Sequence, residues 1–323
     1  MLPVIQNSPL TAALRTAIAA LFLSISFSYF APSASAQAYV QLQQAAGVEE
    51  GPEVPSIGGA TMLAAAPGLN VYFVNVGQGD AIYIELPGGQ NALIDGGPSS
   101  SANGPLAKFL AEKNVTKLDR VVLTHPHSDH YKGLQYVISA LPVGEFYDTR
   151  MNNTGTQADD NLRAAAAEKG AKPVYPAPGD SYSWGGAAVK VFNSCPQAAS
   201  SGDGNVINDC SITIRLSYQN TSLLFVGDTE ADVEASMVAK YGSELRSDVL
   251  KVGHHGSAYS SSQVFLDAVQ PKKAYIEVGK NNYGHPVQST LNRIAAMGTK
   301  IFRTDLEGTL EFSPAADLAR YAY

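Results

Sequence analysis

The apolar positions of this chain fall into short runs broken by glycine-rich polar segments, a spacing that predicts many strands and a few moderate helices. Val71-Tyr-Phe-Val-Asn-Val76 is β-branched and aromatic and stops at Gly77-Gln-Gly-Asp80. Runs at 81–86 and 92–96 follow across Pro87-Gly-Gly89, which predicts three antiparallel strands joined by short turns. The pattern then alternates: helix 105–113, strand 120–124, helix 133–140, a strand near 145–147 and a polar helix over 159–169. Runs at 189–192, 212–216 and 222–226 form a second antiparallel group. Helix 231–241, strand 249–252, helix 261–269, strand 273–277 and helix 287–297 make a more parallel series, closed by strands at 300–302 and 309–312. Two β-rich halves with helices attached predict two sheets face to face with helices outside. No short internal repeat is present.

The N-terminus reads differently. Arg15 precedes the apolar run 17–30, which is shorter than the roughly 20 residues needed to cross a bilayer. The run ends in Ala31-Pro-Ser-Ala-Ser-Ala36, a small-x-small cleavage site. Residues 1–36 therefore read as a secretory signal peptide, with a retained membrane anchor as the alternative. Residues 37–69, rich in Ala, Gly, Pro and Gln, read as a linker or loosely ordered arm, and 70–323 as the folded domain. No later stretch is apolar enough to span a membrane. A secreted or periplasmic protein is expected, in which Cys195 and Cys210 either pair or remain free thiols.

Composition narrows the chemistry. Of 323 residues 45% are apolar and 16% charged, enough for one or two cores. Lys+Arg 22 against Asp+Glu 29 leave a net charge of −7, which argues against a wide basic face for nucleic acid. The clearest basic pair, Lys272-Lys273, is too small to form one. An anionic substrate would need positive charge from elsewhere, such as bound metal ions. Two cysteines exclude a disulfide-rich scaffold and any four-cysteine zinc module.

All six histidines lie in three motifs at strand ends. His125-Pro-His127-Ser-Asp129-His130 places four potential ligands in one loop. They cannot all reach one ion, but the His-x-His pair and the Asp-His pair can face two neighbouring ones. Asp228 ends an apolar strand, where a carboxylate with two oxygens can bridge two cations; the competing role is a helix N-cap. His254-His255 follows the strand at 249–252. On an extended backbone the two rings would face opposite ways, one as a ligand and the other toward neighbouring groups or substrate. His285, in Tyr283-Gly-His-Pro286, is a candidate for substrate contact or proton donation, or a structural loop residue.

Taken together, these residues resemble the metallo-β-lactamase-fold hydrolases. His125-x-His127-x-Asp129-His130 matches that family's signature, and Asp228 its bridging aspartate. Phe73-Val-Asn-Val-Gly-Gln-Gly-Asp-Ala81, Leu93-Ile-Asp-Gly-Gly97, Leu250-Lys-Val-Gly-His-His-Gly-Ser257, Asn282-Tyr-Gly-His-Pro286 and Arg303-Thr-Asp-Leu-Glu-Gly308 look more narrowly like the extracellular domain of ComEC-type DNA-uptake proteins. The resemblance covers about 70–313. It implies an α/β fold, an αββα sandwich, with two divalent metal ions, zinc or manganese, where the sheets share an edge. Two departures stand out. The family's further histidine ligand is replaced by Asn208-Asp-Cys-Ser211, so that either Asp209 or Asn208 supplies an oxygen or one metal is left under-coordinated, which favours manganese over zinc. The membrane channel of ComEC-type proteins has no counterpart, so the chain is not expected to carry DNA across a membrane itself.

The resemblance implies His125 and His127 on one metal, Asp129, His130 and His255 on the other, and Asp228 on both. A water between two such ions loses a proton near neutral pH, giving a metal-bridged hydroxide. His254, Glu230 and His285, with Asp129, are then the candidates for catalysis and substrate contact. Asp80 and Asp95 are expected to orient ligands, with turn chemistry as the competing role. The leading function is a secreted phosphodiesterase or nuclease, with DNA among the substrates. The alternatives are another hydrolase of this fold (choline-phosphate esterase, lactonase or β-lactamase-like) or a catalytically silent extracellular binding module with a structural metal. A similar His-His-Gly and Asp-x-Glu pattern marks choline-phosphate esterases and falls here on His254, His255, Asp228 and Glu230. An aromatic pocket from Tyr131, Tyr182 or Tyr283 would favour a choline-like ligand.

Overall fold

A computed structural model describes residues 68–314. The signal peptide expected at 1–36 and nearly all of the expected arm at 37–69 lie outside the described residues. The chain opens with β1 (Asn70–Phe73), β2 (Ile82–Glu85), β3 (Asn91–Ile94), α1 (Pro105–Glu112), β4 (Leu118–Leu123), α2 (Ser128–Ala140) and β5 (Val143–Asp148). It continues through β6 (Met151–Asn153), α3 (Ala158–Glu168), β7 (Lys172–Val174), β8 (Ser181–Trp184), β9 (Ala187–Asn193), β10 (Ala199–Ser201) and α4 (Gly204–Asp209). The last part comprises β11 (Thr213–Tyr218), β12 (Thr221–Phe225), α5 (Ala231–Tyr241), β13 (Val249–Lys251), α6 (Gln263–Val269) and β14 (Lys273–Ile276). It ends with α7 (Gln288–Ala296), β15 (Lys300–Arg303), α8 (Thr304–Glu307) and β16 (Leu310–Phe312).

Among the described residues the strands build two seven-stranded sheets, ordered β16-β1-β2-β3-β4-β5-β7 and β15-β14-β13-β12-β11-β9-β8. The expected β1–β2–β3 meander is antiparallel, and β3, β4, β5 and β7 then run parallel. The second sheet repeats this division, with β8, β9, β11 and β12 antiparallel and β12 to β15 parallel.

Period-two alternation decides which layer each side chain joins. Val71 and Phe73 of β1 point into a core shared with Val189, Leu223, Phe225 and Val249 of the other sheet. Tyr72 and Val74 point outward, onto Leu106 and Phe109 of α1 and Leu134 and Val137 of α2. Likewise Leu224, Leu250 and Val252 face out, onto Met237, Phe265, Leu266 and Ile294 of α5, α6 and α7. The result is the expected αββα sandwich. Phe73 stacks on Tyr275 across the sheets at 4.2 Å between ring centroids. Each such fully buried side chain contributes about 1.5–3 kcal/mol.

Several elements escaped sequence reading: β6, β7, β8, β10 and α4 are short, and their polar or mixed composition leaves little periodicity. Helix α2 begins at Ser128, five residues before the expected 133, so the Asp129-His130 pair sits in its first turn. Cys195 and Cys210 form a disulfide with a sequence separation of 15, tying the end of α4 to the segment after β9. Among the described residues, no helix is long and apolar enough to cross a membrane.

Helix α2 lies against the loop after β3 because both contact points are glycines. A Cβ on Gly133 would stand 1.8 Å from the Gly96 carbonyl oxygen, and the Gly96 amide donates to the His130 carbonyl at 2.7 Å. The Gly133→Ala substitution must push α2, and with it Asp129 and His130, away from the sheet. Overpacking of this kind costs about 1–3 kcal/mol. Urea unfolding of that variant is expected to show a loss at the upper end of this range.

Candidate metal centre

The first sheet delivers His125, His127, Asp129 and His130 on the connection from β4 into α2. The second delivers Asp228 just past β12, His254 and His255 just past β13, and His285 on the loop after β14. All lie at the carboxyl ends of parallel strands along the edge shared by the two sheets.

Asp228 is the meeting point. Its Oδ2 lies 3.3 Å from His130 Nε2, 3.5 Å from His255 Nε2 and 3.8 Å from both His125 Nε2 and His254 Nε2. His255 Nε2 is also 3.4 Å from Asp129 Oδ2, and His125 Nε2 faces His127 Nδ1 at 3.0 Å. Asp228, His125, His130 and His255 are buried, yet His130 Nε2, His255 Nε2 and Asp228 Oδ1 make no hydrogen bond. Buried polar atoms left in this state are costly unless something else occupies the space between them. Two groups, His125 with His130 and Asp228, and Asp129 with His130 and His255, each hold their ligand atoms within 4.8 Å of one another. The imidazole and carboxylate donors suit a divalent zinc, manganese or iron ion.

The far side of each ring is anchored, which fixes the tautomer and leaves Nε2 free. His130 Nδ1 donates to Asp95 Oδ2 at 2.8 Å, and His255 Nδ1 to the Glu277 carbonyl at 2.8 Å, with Asp80 Oδ1 at 3.2 Å. His125 Nδ1 faces Thr124 Oγ1 at 3.1 Å and Ser211 Oγ at 3.3 Å. Since Thr124 Oγ1 donates to Asp95 Oδ2 at 2.6 Å, one buried carboxylate steadies His130 directly and His125 through a hydroxyl. Ser211 also accepts from the Asp228 amide at 3.0 Å, linking the two sheets.

His254 and His255 depart from the expected extended backbone. Both are left-handed, with φ of 46° and 53°. Such strain in non-glycine residues persists only where the surroundings enforce it. The turn still sends the rings apart: His255 is buried against Asp228, whereas His254 is half-buried with Nδ1 3.2 Å from Glu230 Oε1. Glu230 also accepts from Asn208 Nδ2 at 3.2 Å. His285 lines the same cavity, its ring 5.3 Å from that of His254, and burial, followed by His254 and His255, pushes it down to about 4. A neutral His285 at physiological pH suits contact with substrate better than proton donation.

Two expectations meet a different geometry. Asp209 is half-exposed beside Glu230, Asp232 and Asp203 and joins neither group of ligand atoms, because α4 turns its carboxylate toward other acids. Asn208, by contrast, is buried near the site with its Nδ2 donating to Glu230 and its Oδ1 making no hydrogen bond, so its oxygen stays available. No aromatic cage forms from the tyrosines: Tyr283 lines the cavity and is 74% exposed, but Tyr131 is buried beneath α2 and Tyr182 packs on Tyr147.

Sequence reading missed Lys251. Fully buried, its amine touches Asp80 and lies 3.3 Å from the Gly227 carbonyl and 3.9 Å from Asp228 Oδ1. A lysine inside the apolar run Val249-Leu-Lys-Val252 is the signal that was available. Removing one partner of a buried ion pair costs about 3–5 kcal/mol. Lys251→Met is therefore expected to lose stability on that scale in chemical unfolding, and Asp80→Asn in the same chain should recover part of it.

The side chains of the site carry charges of their own. Burial opposes charge on His255, but Asp228 and Asp80 outweigh it and push the imidazole up to about 10. For His130, burial is likewise outweighed by Asp228 and Asp95, and the group rises well above its usual range. Burial would raise Asp228, yet His130, His255 and His254 hold it well below the carboxylate range. A cation that takes Nε2 of His130 and His255 must displace these protons. Metal affinity is therefore expected to rise with pH until about 10, the value for His255, and calorimetry in buffers of different ionisation heat should show proton release at pH 7.5. Without metal the sign reverses: the His255 contribution to stability is complete below 6.5 and is lost as pH rises through about 10.

Comparison with known proteins bears on the family and the fold. Residues 74–193 match the model of the Metallo-beta-lactamase superfamily. Competence protein ComA of Neisseria gonorrhoeae is 31% identical over 239 residues, covering 74% of this chain and 31% of that protein. ComE operon protein 3 of Bacillus subtilis strain 168 is 28% identical over 260 residues, covering 75% of this chain and 32% of that protein. The chain thus spans about a third of the length of these relatives. The metallo-beta-lactamase fold protein YhfI from Bacillus subtilis superposes with a TM-score of 0.51 at 11% identity, over 76% of this chain and 100% of that one.

Proposed function

Because the chain carries a metallo-β-lactamase domain with competence-protein relatives, we propose that it is a metal-dependent phosphodiesterase or nuclease acting outside the cytoplasm. The observation that carries this reading is the convergence of four imidazoles on one oxygen of Asp228, in a cavity of about 260 Å³ open to solvent. His125 and His127 would hold one divalent ion, Asp129, His130 and His255 the second, and Asp228 both. When bound, such a pair supplies an activated water and draws charge from a phosphoryl oxygen.

The chain's own residues do the rest. Asp95, Thr124 and the Glu277 carbonyl keep the ligand nitrogens aimed inward. The Glu230–His254 pair stands beside Asp228, where it can take up a proton and return it to a leaving group. Tyr283 and His285 form the outer wall, offering a ring face and a neutral imidazole to an incoming substrate. The lack of an aromatic cage weighs against a choline-like substrate, since a quaternary ammonium needs several ring faces. The Cys195–Cys210 disulfide supports an oxidising compartment.

Purified protein supplied with zinc or manganese is expected to hydrolyse bis(p-nitrophenyl) phosphate or DNA in preference to p-nitrophenyl phosphorylcholine or a β-lactam. Asp129→Ala and Asp228→Ala should each reduce turnover by more than about a hundredfold, the upper end of the effect of losing an outer-shell orienting group. Turnover that persists in both variants would remove the assignment.

A further inference from the structure

The turn between β11 and β12 lies at the opposite end of the second sheet from Asp228, about 20 Å away along the extended strand. A cleft of about 480 Å³ opens there, lined by Arg215, Arg246 and Lys272 together with hydroxyl and amide side chains from several loops. Lys272, one half of a basic pair too small in the sequence to count as a patch, is joined here by two guanidinium groups from distant segments.

Those two groups are unmatched. Arg215 is half-buried, its Nε is buried without an acceptor, and neither it nor Arg246 has a side-chain hydrogen bond or ion pair among the described residues. Arg215 stands directly across the β9–β11 ladder from Lys190, a like-charge pairing that destabilises a sheet unless an anion offsets it. The nearby acids are already engaged. Glu244 pairs with Lys190, while Asp248 accepts from the Ser222 amide and hydroxyl, each at 3.0 Å, and from Lys272 at 2.8 Å. Two guanidinium forks without hydrogen-bonding partners, lining one polar cleft in a chain of net charge −7, offer the donors that a tetrahedral oxyanion takes.

We propose that this cleft binds a phosphate group, free or carried on a polymer, through Arg215 and Arg246, independently of the metal centre. The test uses the full chain freed of metal with a chelator, so that no metal ion takes up phosphate, and reads a signal local to the cleft. Inorganic phosphate should shift the Arg215 Nε–H resonance saturably, and Arg246→Gln, at an exposed position, should weaken binding about tenfold. Arg215→Gln with Arg246→Gln should abolish the phosphate-induced shifts of the backbone amides around the cleft, with circular dichroism confirming the fold. A short oligothymidylate that saturates the same resonance at lower concentration identifies a polymer as the source of the phosphate; a response to inorganic phosphate alone identifies a free anion. An unmoved Arg215 resonance, or a phosphate affinity indifferent to Arg246→Gln, would overturn the proposal.

Discussion

A single carboxylate oxygen, Asp228 Oδ2, buried at the seam of two sheets and approached by imidazoles from both, is the constraint around which this structure is arranged. A buried anion is expensive unless cations or donors surround it. Here the donors come from the β4–α2 connection on one sheet and the β13 end on the other, so neither sheet alone can satisfy it. Lys251 lies behind the carboxylate and Asp95 behind the rings, each itself buried and paired. The interior of this edge is a chain of charges, every one of which depends on the next.

Under the proposed function, that arrangement would let an acidic protein receive an anionic substrate. The positive charge of the site is concentrated in buried imidazoles whose protons the neighbouring acids hold, and a bound cation would have to displace them. His285 on the outer wall is held neutral, so it adds no charge of its own to the cavity. At the far end of the same sheet the charge logic is inverted: guanidinium groups lack partners and the acids near them are committed. The two ends are joined by β12, whose inward residues, Leu223 and Phe225, belong to the shared core.

Much of the site was legible because its chemistry is local. His125, His127, Asp129 and His130 lie within six residues, and their spacing alone points to a pair of ions. Asp228 was legible as an acid at the end of an apolar strand. What escaped depends on neighbours remote in the chain. Ser211 matters because it meets His125 across 86 positions, and Glu277 because its carbonyl meets His255. The role expected of Asp209 fails since α4, a short helix with weak periodicity, sets which way its carboxylate faces. The double left-handed turn at His254 and His255 was illegible because nothing in two consecutive histidines announces positive φ; the packing of Gly253 and Gly256 against Ser260 and Pro286 enforces it.

By itself the sequence determined the strand-and-helix alternation, the division into two β-rich halves and the residue types available for chemistry, because these follow from periodicity and from side-chain identity. Tertiary structure alone decided which nitrogen of each histidine faces inward, that Lys251 is a buried partner rather than a surface cation, that Tyr131 and Tyr182 leave the site, and that Arg215, Arg246 and Lys272 share a cleft. Each of these turns on distances between segments far apart in the chain. Electrostatic and hydrogen-bond energies fall steeply with distance, so residue order cannot decide them until the two sheets have closed on one another.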